Sequence, residues 1–88
     1  MKEDTRKDVL ARLRSIEGHL RGVEKMVQDE KYCIDVLRQT MAVEKALQRV
    51  DELVLEGHFE TCVADAFREG RSKATVAELV EIFRTSRG

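Results

Sequence analysis

With 88 residues, 42% of them apolar, and no proline, the chain has enough material for one folded domain and too little for two. A net charge of −1 and a pI near 6.1 do not by themselves announce a nucleic-acid binder. No apolar run approaches the roughly 18 residues of a membrane span, and the first dozen residues alternate in charge where a secretion signal would be apolar, so a cytoplasmic protein is expected.

Val9, Leu13, Ile16, Leu20, Val23 and Val27 step by four and three in turn, the 3.5-residue repeat of a helix with one apolar seam. This predicts a first helix over about 5–28, with Thr5 and Asp8 as a capping pair. Gly18 and Gly22 lie on one face of it and together cost roughly 2 kcal/mol relative to alanine, which suggests a close helix approach. His19 reads as a surface or interhelical residue in preference to a metal ligand, because no cysteine is near it in sequence.

Val36, Thr40, Val43, Leu47, Val50 and Val54 repeat the pattern, and Ile34, Leu37 and Met41 add a second apolar flank. A second helix over about 31–67, buried on more than one side, is expected. Asp29 and Glu30 would be first-turn residues, Gly57 is a weak point, and Gly70 is the natural break. Thr75 and Glu78 have the form of a capping box for a third helix over about 73–85, with Val76, Leu79, Val80 and Phe83 on its apolar face. The chain therefore reads as one all-α domain, 1–88, of three helices. One Tyr, three Phe and no Trp make a thin core for so short a chain, so oligomerisation is expected to supply further burial.

Charge is unevenly spread: residues 1–49 carry eleven basic against nine acidic side chains, and residues 50–88 five against eight. A modest basic face on the first half is one reading, and an ordinary solvated surface is the other.

The only two cysteines, Cys33 and Cys62, stand with His58 in the order Cys-x24-His-x3-Cys. In a reducing compartment such cysteines serve as free thiols, metal ligands or redox sensors rather than as a structural disulfide. Two thiolates and an imidazole form a set suited to a soft ion such as Cu(I). His58 and Cys62, at i and i+4, share a helix face. Cys33 and His58 are 25 residues apart, roughly 37 Å along a straight helix, so one chain cannot close the site. Antiparallel pairing of two second helices would bring Cys33 of one protomer to His58 and Cys62 of its partner, twice by symmetry.

Three segments, Arg12–Met26, Tyr32–Leu37 and Glu56–Val63, resemble the copper-sensitive operon repressor family, CsoR, and the likeness extends over nearly the whole chain. The resemblance implies an antiparallel helical-bundle dimer, paired again into a disc-shaped homotetramer without a helix-turn-helix motif. It implies that the apo form binds double-stranded operator DNA, and that Cu(I), one ion per intersubunit Cys33/His58/Cys62 site, releases it and derepresses copper efflux or resistance genes. It further implies that Tyr32 and Glu78 hydrogen-bond the other nitrogen of His58, where Tyr32 as a packed ring and Glu78 as a capping residue are the plainer alternatives. DNA contacts carry over to Arg12 and Arg49, with Arg14, Arg21 and Lys25 as neighbours. The family more often has Gln at the position of His19, and Gly57 directly before His58 loosens the helix at a ligand.

Nickel/cobalt sensors of the family need a further N-terminal histidine and a histidine at the position of Cys62; formaldehyde sensors need an N-terminal proline. This chain has Lys2 and Cys62 instead. A persulfide sensor using Cys33 and Cys62, and a copper-buffering protein indifferent to DNA, are the remaining alternatives. No nucleophile with an adjacent base and no phosphate loop is apparent, so neither an enzyme nor a small-molecule substrate is expected.

Overall fold

The computed structural model describes residues 1–86. Helix α1 spans Glu3–Gln28 and α2 spans Cys33–His58; a π-helical turn, Phe59–Val63, and a short α3, Ala64–Arg68, continue α2 without a break, and α4 spans Ser72–Ser86. Backbone angles at His58, Phe59, Val63 and Ala64 all stay right-handed helical, so residues 33–68 form a single rod. The described residues thus form three helical rods and no strand, the all-α class expected.

Helix starts differ from the capping signals in the sequence. The first helix begins at Glu3, with Lys2 at its N-cap and no side-chain cap, so Thr5 lies inside the helix. Glu3 and Asp4 in the first turn supply the negative charge that the exposed N–H groups favour. Thr75 is likewise internal to α4, where its hydroxyl donates to the Arg71 carbonyl at 3.2 Å instead of capping. A threonine three residues before an acidic residue satisfies the capping pattern wherever it falls, and here the helix already starts one turn earlier.

Asp29 and Glu30 do not open α2. Asp29 caps the end of α1, and Glu30 takes a left-handed φ of 53°. The Lys31 N–H donates to the Met26 carbonyl at 2.9 Å and the Glu30 N–H to Val27 at 3.1 Å, the paired bonds of a Schellman ending. The rod of α2 and α3 ends in the same way: Gly70 takes φ 76°, and Arg71 and Gly70 donate to Ala66 and Phe67. Glycine meets that left-handed geometry freely, whereas Glu30 meets it at a steric cost.

The two long rods form an antiparallel hairpin around Val9 and Ile16 of α1 and Val43 and Val50 of α2, with Leu13, Ala46 and Leu53 packed against them. Each such valine or isoleucine contributes about 1.5–3 kcal/mol on burial. A hydrogen bond from one rod to the other, His19 Nε2 to Gln39 Oε1 at 2.8 Å, marks the same register. The protomer measures 55 × 30 × 14 Å, little more than one helix thick. Hence the second apolar flank of α2 remains uncovered: Leu37 and Met41 are 53% and 55% exposed, as is Phe83 on α4.

Candidate metal centre and nucleic-acid interface

Cys33 is the first residue of α2 and His58 the last, so the two candidate ligands stand at opposite ends of α2, roughly 37 Å apart at 1.5 Å per residue. Both cysteines are free and exposed, and His58 is partly buried. No group of three or more His, Cys, Asp or Glu residues able to hold a metal forms among the described residues of one chain. His58 and Cys62 alone could offer an imidazole and a thiolate side by side, a soft pair that needs at least one further donor from elsewhere.

The turn that carries this pair is not α-helical. Cys62 lies in the π turn Phe59–Val63, and His58 is its N-cap. Four residues slightly overshoot one α turn and slightly undershoot one π turn, so the two side chains still leave the rod on the same side. The Thr61 hydroxyl donates to the Gly57 carbonyl at 2.8 Å and also lies 3.6 Å from Cys62 Sγ. Gly57 is buried, and a Cβ there would stand 3.3 Å from Thr5 Cγ2. The contact between the start of α1 and the end of α2 had no signal in the periodicity, because it depends on the length of the intervening turn.

Glu78 of α4 and His58 line the same groove of about 630 Å³, together with Val54, Leu55, Leu79 and Ile82. With Thr75 inside the helix, a capping role for Glu78 is gone, and it lines the groove with His58 alongside two other acidic residues, Asp51 and Glu52. Tyr32 is 66% exposed at the other end of α2, so it is not a packed ring within the protomer, and it does not meet His58 of its own chain.

The basic candidates divide into two groups. Advancing roughly 100° per residue, Arg12 and Arg14 leave α1 on opposite sides, and Arg21 and Lys25 follow Arg14. In the antiparallel hairpin the same count places Arg12 and Arg49 on one broad side, joined there by the exposed Arg38, which the sequence analysis passed over. Arg12 is held by Asp8 at 2.9 Å and Arg49 by Glu52 at 3.0 Å. These pairs are exposed and worth at most about 1 kcal/mol each, so either arginine can be drawn to a stronger anion at little cost.

Candidate soft ligands at both ends of α2, acidic residues lining the same groove as the imidazole, and arginines across a helical hairpin are the chemistry of a small metal-responsive regulator. The chain belongs to the family described as metal-sensitive transcriptional repressors, whose model matches residues 5–85. It is 41% identical over 73 residues to the copper-sensing transcriptional repressor CsoR of Bacillus subtilis, covering 83% of this chain and 72% of that one. It is 37% identical over 78 residues to the CsoR of Mycobacterium ulcerans, covering 89% and 67%. Among solved structures, the copper-sensing repressor CsoR with Cu(I) from Geobacillus thermodenitrificans superposes with a TM-score of 0.92 at 39% identity, over 100% of this chain and 92% of that one. The nickel-responsive transcriptional regulator InrS superposes with a TM-score of 0.74 at 42% identity, over 90% and 89%.

Proposed function

We propose that this chain is a Cu(I)-responsive transcriptional repressor, cytoplasmic and not an enzyme, that acts as a dimer of antiparallel dimers. The observation that carries the reading is the placement of Cys33 at one end of the α2 rod and His58 with Cys62 at the other, along a rod whose second apolar flank is uncovered. Antiparallel pairing through that flank buries Leu37 and Met41. It also sets Cys33 of one protomer beside the His58–Cys62 turn of the next, twice per dimer.

Cys33 from one protomer, and His58 and Cys62 from the other, supply two thiolates and one imidazole, which fit Cu(I) and leave hard ions unserved. Bound there, Cu(I) cross-links the two subunits. Glu78, across the groove from His58, accepts the second ring N–H and fixes the tautomer that leaves the other nitrogen free to ligate. Tyr32 stands next to Cys33 and reaches the same imidazole from the neighbouring subunit. The operator is held in the apo form by phosphate contacts from Arg12 and Arg49, and the two affinities are coupled reciprocally.

The test is Cu(I) titration of the reduced protein by X-ray absorption, with operator affinity measured on the same sample. Two sulfurs and one nitrogen per ion, with weakened DNA binding, are expected. A sulfur-only environment would favour the persulfide mechanism on Cys33 and Cys62, and indifference to DNA would favour a copper buffer. The structural likeness to a nickel-responsive regulator makes Ni(II) the second metal to assay. Release of DNA by Ni(II) and not by Cu(I) overturns the metal assignment.

A further inference from the structure

Gly57, directly before His58, and Glu60, between His58 and Cys62, both meet the beginning of the chain. Gly57 is buried, and a Cβ on it would lie 3.3 Å from Thr5 Cγ2 and 3.6 Å from Met1 Cγ. Lys2 Nζ lies 3.4 Å from Glu60 Oε2, two residues beyond His58. The Gly57 carbonyl is in turn tied to Thr61, next to Cys62, at 2.8 Å. Glycine inside a helix costs about 1 kcal/mol relative to alanine, and here a Cβ would crowd the Thr5 methyl, so that the first turn of α1 would have to give by a few tenths of an ångström. Arg12 lies two turns further along the same unbroken helix.

We infer that Thr5 and Gly57 are positioning residues through which the ligand turn and the arginine-bearing face of α1 communicate. The inference rests on the copper-repressor reading above. Gly57 directly precedes His58 and Glu60 lies between His58 and Cys62, so a shift of that turn when the two side chains are drawn to one ion is carried to Thr5 and Lys2. A helix moves as a unit over two turns, so the shift reaches Arg12. The link makes no contact with metal or DNA and acts only by placing groups that do.

The experiment compares wild type, Gly57→Ala and the double variant Gly57→Ala/Thr5→Ser. Alanine favours the helix, so the single variant folds, and serine removes the methyl group that the new Cβ would meet. Operator affinity is read by fluorescence anisotropy on a labelled duplex from upstream of the gene, with and without Cu(I). Amide hydrogen exchange of residues 3–9 in the apo protein is the second readout. We expect Gly57→Ala to keep Cu(I) stoichiometry and apo operator affinity, to speed exchange at the start of α1, and to shrink the Cu(I)-induced loss of affinity by about fivefold or more. The double variant should recover both readouts. A full copper response in Gly57→Ala overturns the inference, as does a double variant that remains at the level of the single one, since stiffening of α2 would then be the cause. A wild-type protein whose operator affinity ignores Cu(I) instead overturns the reading on which the inference rests.

Discussion

His58, at the end of α2, and Glu78, on α4, line one groove although a turn and two helix boundaries separate them in the chain. If His58 ligates as proposed, a carboxylate there would serve to hold the ring in a single orientation through its other nitrogen. Replacing Glu78 by Ala should therefore lower Cu(I) affinity by no more than about tenfold, the mild end of such effects. The copper-induced loss of operator affinity should fall by about 1 kcal/mol or more of coupling. Chelator competition and anisotropy on the same variant check both; parallel losses in folding stability and metal affinity would assign Glu78 a structural role instead.

Arg12 and Arg49 share one broad side of the hairpin, while Arg14, Arg21 and Lys25 leave α1 from the other. A duplex lying on one side meets only one group. Each phosphate contact removed lowers the slope of log affinity against log salt by about one. Arg12→Ala and Arg49→Ala should each show that change, and Arg21→Ala should leave the slope intact. An equal effect from Arg21→Ala would mean that DNA reaches both sides.

Glu30 holds a left-handed φ of 53° at the end of α1, the position that Gly70 fills at the end of α3. An L-residue with a Cβ pays about 1–2 kcal/mol for that conformation. Glu30→Gly should raise stability by about 1 kcal/mol, seen as a later midpoint in urea unfolding at fixed protein concentration, with the slope unchanged. A loss of stability would show that the Glu30 side chain makes up for its backbone.

His19 is engaged by Gln39 across the two long helices. Its removal should cost about 0.5–1.5 kcal/mol, the net value of one such bond, and His19→Ala combined with Gln39→Ala should cost less than the sum of the two single changes. Cu(I) stoichiometry should not change. A fall in stoichiometry would make His19 a ligand.

The period of the apolar residues made the rods legible, because a 3.5-residue seam and an absence of proline leave helix as the consistent solution. Gly70 marked its own break by the same logic. Ends were harder to read. Thr5 and Thr75 carry the capping pattern yet lie within helices, and Glu30 occupies a site where composition would ask for glycine. The candidate ligands were legible as chemistry, since two cysteines and a histidine are few enough to notice. The π turn that carries Cys62 was not, because one turn of five residues is too short to show as a change of period. Nor was the seating of Thr5 on Gly57, which depends on how far the first hairpin turn lets the two rods overlap.

A protomer barely thicker than one of its own helices has little interior among its described residues: the seam between the long rods, and a few small side chains such as Val63, Ala66 and Thr75 further along. If such chains pair as proposed, each lends its neighbour solidity, and the melting midpoint should climb as subunits become more abundant. On that reading dilution, as much as copper, would empty the operator. The number of copies a cell makes would then set a floor below which repression fails with no metal present.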